Sequence, residues 1–166
     1  MKPSIRLATK EDIPFLVESR IAFFNELWGE PLTEAQQAEA RQLLPAQFEH
    51  ALGETLFCFL VEVGNKPVSM GCLATQQKLY HPNLPKGRAG KLLNFYTPPQ
   101  HRREGHARLL MGHIIEFAKT HQIGAISLNA TSMARELYKD AGFIPDPAQI
   151  HLPMTLKLDE DGQTVN

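Results

Sequence analysis

The spacing of apolar and polar positions changes several times along the chain, and each change marks an element. Ile5 and Leu7 flank Arg6, an alternation that predicts a first strand over Ser4 to Ala8. Thr9-Lys10-Glu11-Asp12 reads as a capping box. The helix it opens carries Ile13, Leu16, Val17, Ile21 and Phe24 at helical spacing and ends near Trp28-Gly29. Thr33 with Gln36 caps a second helical stretch, in which Pro45 is expected to break or kink the helix before Gly53 ends it.

Leu56 to Val63 is a dense apolar run with no helical period, which predicts a buried strand. Gly64-Asn65-Lys66-Pro67 then turns the chain into a hairpin partner over Val68 to Leu79. Tyr80 to Arg88 is a loop by composition, Gly90 to Thr97 a further strand, and Pro98-Pro99 its stop. The helix starting near Ala107 places Ala107, Leu110, Met111, Ile114 and Ala118 on one face. Ile126, Leu128 and Ala130 alternate with polar residues as a short strand. Thr131 or Ser132 caps a short helix that closes at Gly142. A last strand is expected around His151 to Leu158, with a frayed polar tail from Asp159. Strands and helices interspersed around a central hairpin predict an α/β chain: a mixed sheet with helices on both faces.

Between the strand ending at Thr97 and the following helix lies Arg102-Arg103-Glu104-Gly105-His106-Ala107. A strand, a basic glycine turn and a helix start together suit phosphate. The first helical N–H groups lack acceptors, and the helix dipole is positive there. Gly105 keeps a Cβ out of the ligand's way, while Arg102, Arg103 and Arg108 add positive charge. The spacing is not the three-glycine dinucleotide fingerprint and not a Walker loop.

Composition bounds the rest. A chain of 166 residues fits one domain over residues 1–166. Its formal net charge of −1 gives no global field for nucleic acid or an anionic membrane. Cys58 and Cys72 sit in strand-like apolar segments and are expected as buried reduced thiols, consistent with a cytoplasmic protein. Neither they nor the histidines show ligand spacing, so no metal is expected. The N-terminus lacks an apolar signal core, and no run approaches transmembrane length. A homodimer is left open.

Three local patterns, in order and on the right elements, resemble the GCN5-related N-acetyltransferase (GNAT) family. Phe95-Tyr96-Thr97-Pro98-Pro99-Gln100-His101-Arg102 resembles its fourth strand and the run into the phosphate loop. Arg102 to Ala107 resembles the Arg/Gln-x-x-Gly-x-Gly/Ala loop itself. Ala134 to Phe143 resembles the family's Ala-x-x-x-Tyr-x-x-x-Gly-Phe. The resemblance spans about Ile5 to Leu158. It implies the GNAT fold, a twisted, mixed but mostly antiparallel sheet of about seven strands with helices on both faces.

The same resemblance implies an acyltransferase that uses acetyl-CoA without a metal and moves the acetyl group to an amine-bearing small molecule or peptide. Phe95, Tyr96 and Thr97 are then the strand residues along the cofactor, with Phe95 and Thr97 pairing their backbones with pantetheine. Arg102, Arg103, Gly105, His106, Ala107 and Arg108 form the pyrophosphate site. Asn129 bonds pantetheine through its amide or serves as a turn residue, and Tyr138 protonates the departing thiolate or packs as an aromatic. Direct attack by the amine is expected, with an N–H of the fourth strand steadying the oxyanion. Cys58 as an acyl carrier has nothing nearby to lower its pKa.

Two positions depart from the family pattern. Thr131 stands where many members have asparagine. Asn94 lies near where many carry a proton-relaying glutamate, and an amide takes no proton. Glu26 and His81 are the candidates for a relay by water. Because Asn94 is not a base, a second reading stays open: an acyl-CoA sensor without catalysis. Phe23, Phe24, Trp28, Tyr80 and His81 fall in segments that shape the acceptor pocket in the family.

Overall fold

A computed structural model of the protein describes residues 2–27, 29–145, 156–158 and 163–165. Its elements follow the chain as β1 (Ser4–Leu7), α1 (Ile13–Leu27), α2 (Glu34–Ala51), β2 (Leu56–Val63), β3 (Lys66–Gln77), β4 (Arg88–Tyr96), α3 (His106–Thr120), β5 (Ala125–Ser127), α4 (Arg135–Asp140), β6 (Lys157–Leu158) and β7 (Thr164–Val165). The first five strands form one sheet in the order β1-β2-β3-β4-β5. Neighbours from β1 to β4 are antiparallel, and β4 pairs β5 in parallel. β6 and β7 pair only with each other, so the described strands form sheets of five and two rather than one of about seven. The expected strand over His151 to Leu158 lies largely outside the described residues, and within the expected tail Thr164–Val165 is paired.

Two apolar layers sandwich the five-stranded sheet. On one side α3 packs Leu110, Met111, Ile114 and Ala118 against Phe59, Val61, Leu73 and Leu92. On the other, Leu16, Val17 and Ile21 of α1 and Phe48 of α2 cover Cys58, Leu60, Met70, Cys72 and Tyr96. Alternate strand residues point to opposite faces, which is why Phe59 and Leu60 serve different layers. Each fully buried side chain of this size contributes about 1.5–3 kcal/mol.

Local chemistry sets where these elements start and stop. Gly64 and Asn65, both at φ +60°, make the tight β2–β3 turn. Gln36 N–H donates to Thr33 Oγ1 at 3.2 Å, and Gln36 Oε1 accepts from Thr33 N–H at 2.9 Å, closing the capping box of α2. Pro45 does not break that helix, which runs unbroken from Glu34 to Ala51. The proline removes one helical bond, while the cap and the buried Phe48 hold both halves. At the start of α1 the Asp12 carboxylate accepts from Thr9 N–H at 2.8 Å and from Arg6 at 2.6 and 2.8 Å. Arg6 also donates to Glu62 at 2.9 Å, locking β1, α1 and β2 together.

The cysteines were expected as separate thiols. In the antiparallel pairing Cys58 lies directly opposite Cys72, and the structure joins them in a cross-strand disulfide with Cα atoms 4.1 Å apart. The register that makes them partners is a property of the sheet and has no signature in Cys spacing. Among the described residues no helix is long and apolar enough to cross a membrane.

Candidate active site

Two irregularities in β4 build the site. The first is where it loses a neighbour. β5 pairs only Ala89–Lys91 with Ala125–Ser127, so the outer edge of β4 from Leu92 onward is left without a described strand beside it. The second is a bulge. Met70 faces Tyr96 and Cys72 faces Leu93, so β4 spends one residue more than β3 across this stretch. Asn94 sits in the bulge at φ +49°, a left-handed conformation uncommon for a residue with a side chain. Gly71 lies opposite, and a Cβ there would come within 2.7 Å of the Phe95 ring. The missing side chain on β3 lets Phe95 lie close against the sheet.

The chain leaves β4 through Pro98 and Pro99 and enters α3 by a turn in which Arg103 (φ +65°) and Gly105 (φ +83°) are left-handed. A Cβ on Gly105 would meet nothing within 4 Å, so the space beside this backbone is open. The first bond of the helix runs from Leu109 N–H to Gly105 O at 3.1 Å. The N–H groups of His106, Ala107 and Arg108 therefore have no helical acceptor. A left-handed residue leading into a helix leaves successive N–H groups at one place, which suits an anion. His106 is buried, with Nε2 2.9 Å from Glu104 Oε2, while its buried Nδ1 has no hydrogen-bond partner among the described residues. An orphaned polar atom beside free helix N–H groups fits a phosphate-bearing ligand.

These features open onto one cavity of about 560 Å³, within the range of small-molecule sites. Phe95, Tyr96, Thr97, Arg102, Arg103, Gly105, His106, Ala107, Arg108, Asn129 and Tyr138 all line it. Asn129 lies two residues past the end of β5 rather than inside a strand. Thr131 caps the following turn, accepting from Ala134 N–H at 3.3 Å. Tyr138 is 8 % exposed and meets Phe95 and Phe143 edge-on, at ring distances of 6.2 and 5.9 Å. Burial raises its pKa, so the phenol is protonated at neutral pH. Its hydroxyl bonds no described residue and is left for a ligand.

The arginines of the loop divide in role. Arg108 pairs with Asp140 at 2.8 Å. Arg102 turns back toward the body: its Nε donates to Thr97 O at 2.8 Å, and Nη2 pairs with Glu26 at 2.5 Å. Tyr96 OH donates to the same carboxylate at 3.2 Å, and burial with Glu26 beside it raises the Tyr96 pKa. Arg102 thus braces the end of β4 against α1, whereas Arg103 is exposed and pairs with no described carboxylate. Ser69 shares a 2.7 Å hydrogen bond with Thr97 Oγ1, steadying the same segment.

The relay candidates fare differently. Glu26 is engaged by Arg102 and Tyr96. His81 stays on the exposed loop between β3 and β4, and neither it nor Tyr80 lines the cavity. Asn94 is buried, its amide 3.4 Å from Met70 Sδ and its Oδ1 3.5 Å from Arg20. Phe23 lines the cavity from α1 together with Arg20 and Leu27. No sequence motif singles out Arg20. Its signal was an arginine at helical spacing from Leu16, Phe23 and Leu27, on the inward face of α1.

The described residues contain no cluster of three metal-ligating side chains. The acetyltransferase (GNAT) family matches residues 19–143. Among solved structures the chain is similar to a predicted acetyltransferase with acetyl-CoA from Clostridium acetobutylicum, 25% identical, covering 92% of this chain and 96% of that one with a TM-score of 0.78. A GCN5-related N-acetyltransferase from Ralstonia eutropha JMP134 is 24% identical, with coverage of 92% and 99% and a TM-score of 0.78. Glucosamine-6-phosphate N-acetyltransferase from Arabidopsis thaliana shares the fold at 15% identity, with coverage of 96% and 100% and a TM-score of 0.65. No curated protein matches the chain in sequence. A splayed β4 edge, a left-handed glycine turn into α3 and a family match over that whole region converge: the chain belongs to the GNAT acetyltransferase family, acyltransferases whose acyl donor is acetyl-CoA.

Proposed function

We propose that the protein is an N-acetyltransferase in which an amine acceptor attacks acetyl-CoA directly while both are bound. The observation that carries this reading is the single cleft joining the free N–H groups at the start of α3, the open edge of β4 and the Tyr138 hydroxyl. The N–H groups of Arg103, Gly105, His106, Ala107 and Arg108 hold the donor's pyrophosphate, and Arg103 adds charge. Phe95 and Thr97 offer backbone groups along the unpaired β4 edge, so the pantetheine arm adds on as a strand would. Asn129 bonds the arm through its amide. The thioester then lies beside the bulge at Asn94 and Phe95, whose N–H groups steady the carbonyl oxygen as it gains charge.

Proton accounting follows from the groups present. The neutral amine forms the C–N bond as the C–S bond breaks. Tyr138 hands its hydroxyl proton to the departing thiolate, and the surplus proton of the new amide returns to Tyr138 through water. Asn94 takes no part in proton transfer, and no described carboxylate stands free at the bulge.

Incubation with acetyl-CoA and a broad amine panel, read as free thiol released, tests the reading. Release with at least one amine is expected. Stabilisation by acetyl-CoA with no release on any amine would instead make the protein an acyl-CoA sensor.

A further inference from the structure

Arg20 stands apart from the other arginines of the described chain. Three are partly buried: Arg6, Arg20 and Arg102. Arg6 is neutralised by Asp12 and Glu62, and Arg102 by Glu26. Arg20 has no carboxylate within reach among the described residues. Its contacts are the Asn94 Oδ1 at 3.5 Å, a long hydrogen bond, and the face of Phe24, 4.5 Å from the ring centroid. Burial lowers its pKa with no carboxylate to offset it.

Holding a guanidinium partly out of water without a counter-charge is costly. A fold keeps such a group where something outside the chain supplies the anion. The surroundings permit little else. Two carboxylates line the cavity, Glu136 and Asp140, both on α4, and they pair with Lys139 and Arg108. Arg20 also faces the other side of β4 from the phosphate turn. The α1 face of the sheet carries Arg20, Asn94 and Met70, whereas α3 and Tyr138 cover the opposite face with Phe95. Residues of both halves line one cavity beside the open β4 edge. The donor's pyrophosphate is assigned to the start of α3, on the other face, so an anion that meets Arg20 is taken to come in with the acceptor.

We infer that the acceptor is an amine carrying a carboxylate or phosphate, and that Arg20, seated on Phe24 and steered by Asn94, receives that anionic group. This rests on the acetyltransferase reading above. It explains how a cleft without a free base can still favour attack. A fixed positive charge near the acceptor nitrogen disfavours its ammonium form, so bound amine loses its proton to water more readily. The planar guanidinium suits both carboxylate and phosphate by paired hydrogen bonds.

The test uses matched acceptors: amino acids against their methyl esters and amides, and aminoalkyl phosphates against the corresponding amino alcohols. With acetyl-CoA and the intact protein, the anionic member of each pair is expected to have the higher kcat/KM by roughly 10- to 100-fold, mainly through KM. In Arg20→Gln that ratio collapses toward one, and Arg20→Lys restores part of it. Equal use of anionic and neutral members by the wild type, or a ratio unmoved in Arg20→Gln, overturns the inference while leaving the acetyltransferase reading intact.

Thermal shifts with the same compounds in the presence of CoA separate the two claims if no acceptor turns over. Greater stabilisation by the anionic members, absent in Arg20→Gln, supports the anion site even without catalysis. Indifference to charge overturns it. An equal loss of stabilisation by CoA alone in Arg20→Gln would assign Arg20 to the donor, also overturning the inference. Whether carboxylate or phosphate gives the larger effect identifies the anion.

Discussion

Gly105→Ala and Gly53→Ala are a matched pair that isolates the proposed phosphate turn. Both glycines are left-handed, at φ +83° and +84°, and an added Cβ meets nothing within 4 Å at either. Each alanine therefore costs about 1–2 kcal/mol for its left-handed conformation. Part of that, about 0.4–1 kcal/mol, is offset because alanine also restricts the unfolded chain. The net loss is about 1 kcal/mol, or a Tm drop of about 2–4 °C for a chain of this size. Only Gly105 lines the cleft. Acetyl-CoA at 100 times its Kd stabilises the native state by about 2.7 kcal/mol. A methyl group that displaces one charge-assisted bond to phosphate removes about 1.5 kcal/mol of affinity, roughly tenfold. The ligand's contribution then falls to about 1.4 kcal/mol, halving its thermal shift. Differential scanning fluorimetry with and without acetyl-CoA reads both effects. The two variants should lose similar Tm without ligand, and only Gly105→Ala should show the halved shift. An acetyl-CoA shift in Gly105→Ala as large as in Gly53→Ala would refute the placement of the pyrophosphate.

Tyr138→Phe keeps the edge contacts to Phe95 and Phe143, so Tm and the KM for acetyl-CoA should barely move while thiol release slows about 100-fold; an unchanged rate removes Tyr138 as the acid. Because burial raises the Tyr138 pKa, any rate loss from its deprotonation belongs above about pH 10, and a decline starting near pH 8 would point to another group. Gly71→Ala puts a methyl 2.7 Å from the Phe95 ring and 3.2 Å from Ile114 Cδ1, and should cost about 1–3 kcal/mol in denaturant unfolding while raising the KM for acetyl-CoA. Unaltered kinetics would mean that Phe95 does not shape the donor site. Arg6 holds the Asp12 carboxyl below the usual carboxylate range, so this bond stabilises the fold above about pH 4 and is lost as pH falls through the lower folded value. Asp12→Asn should therefore lower stability by about 1–2 kcal/mol at pH 7 and flatten the acid side of the Tm profile; parallel profiles would show that Asp12 is not the group responsible.

Much of the fold was legible because it depends on neighbours in sequence. Helical spacing in Leu110, Met111, Ile114 and Ala118 located the inward face of α3. Thr33 and Gln36 announced α2, and Gly64-Asn65 the hairpin. Pro45 misled because a proline's local penalty, about 3 kcal/mol, is offset by the capping box at Thr33 and by Ala40, Leu44 and Phe48 packing together in the layer shared with α1. The strand pairing that joins Cys58 to Cys72 was invisible, since register emerges only when two faces are buried at once.

The candidate site divides the same way. Arg102 to Ala107 could be recognised as a candidate phosphate turn because such a turn is made by consecutive residues, whose order sets the left-handed glycine and the free N–H groups. The sequence by itself therefore determined the class of acyl donor and pointed to the element proposed to hold it. Only the tertiary structure decided what Arg102 does, because Glu26 and Thr97 reach it from α1 and the end of β4. It alone also decided that Asn94 lies in a left-handed bulge opposite Gly71, and that Arg20 lies beside it without a counter-charge. These relations join residues 20, 71 and 94 across three elements. Burial and charge pairing between distant segments are set by packing, which no local pattern encodes.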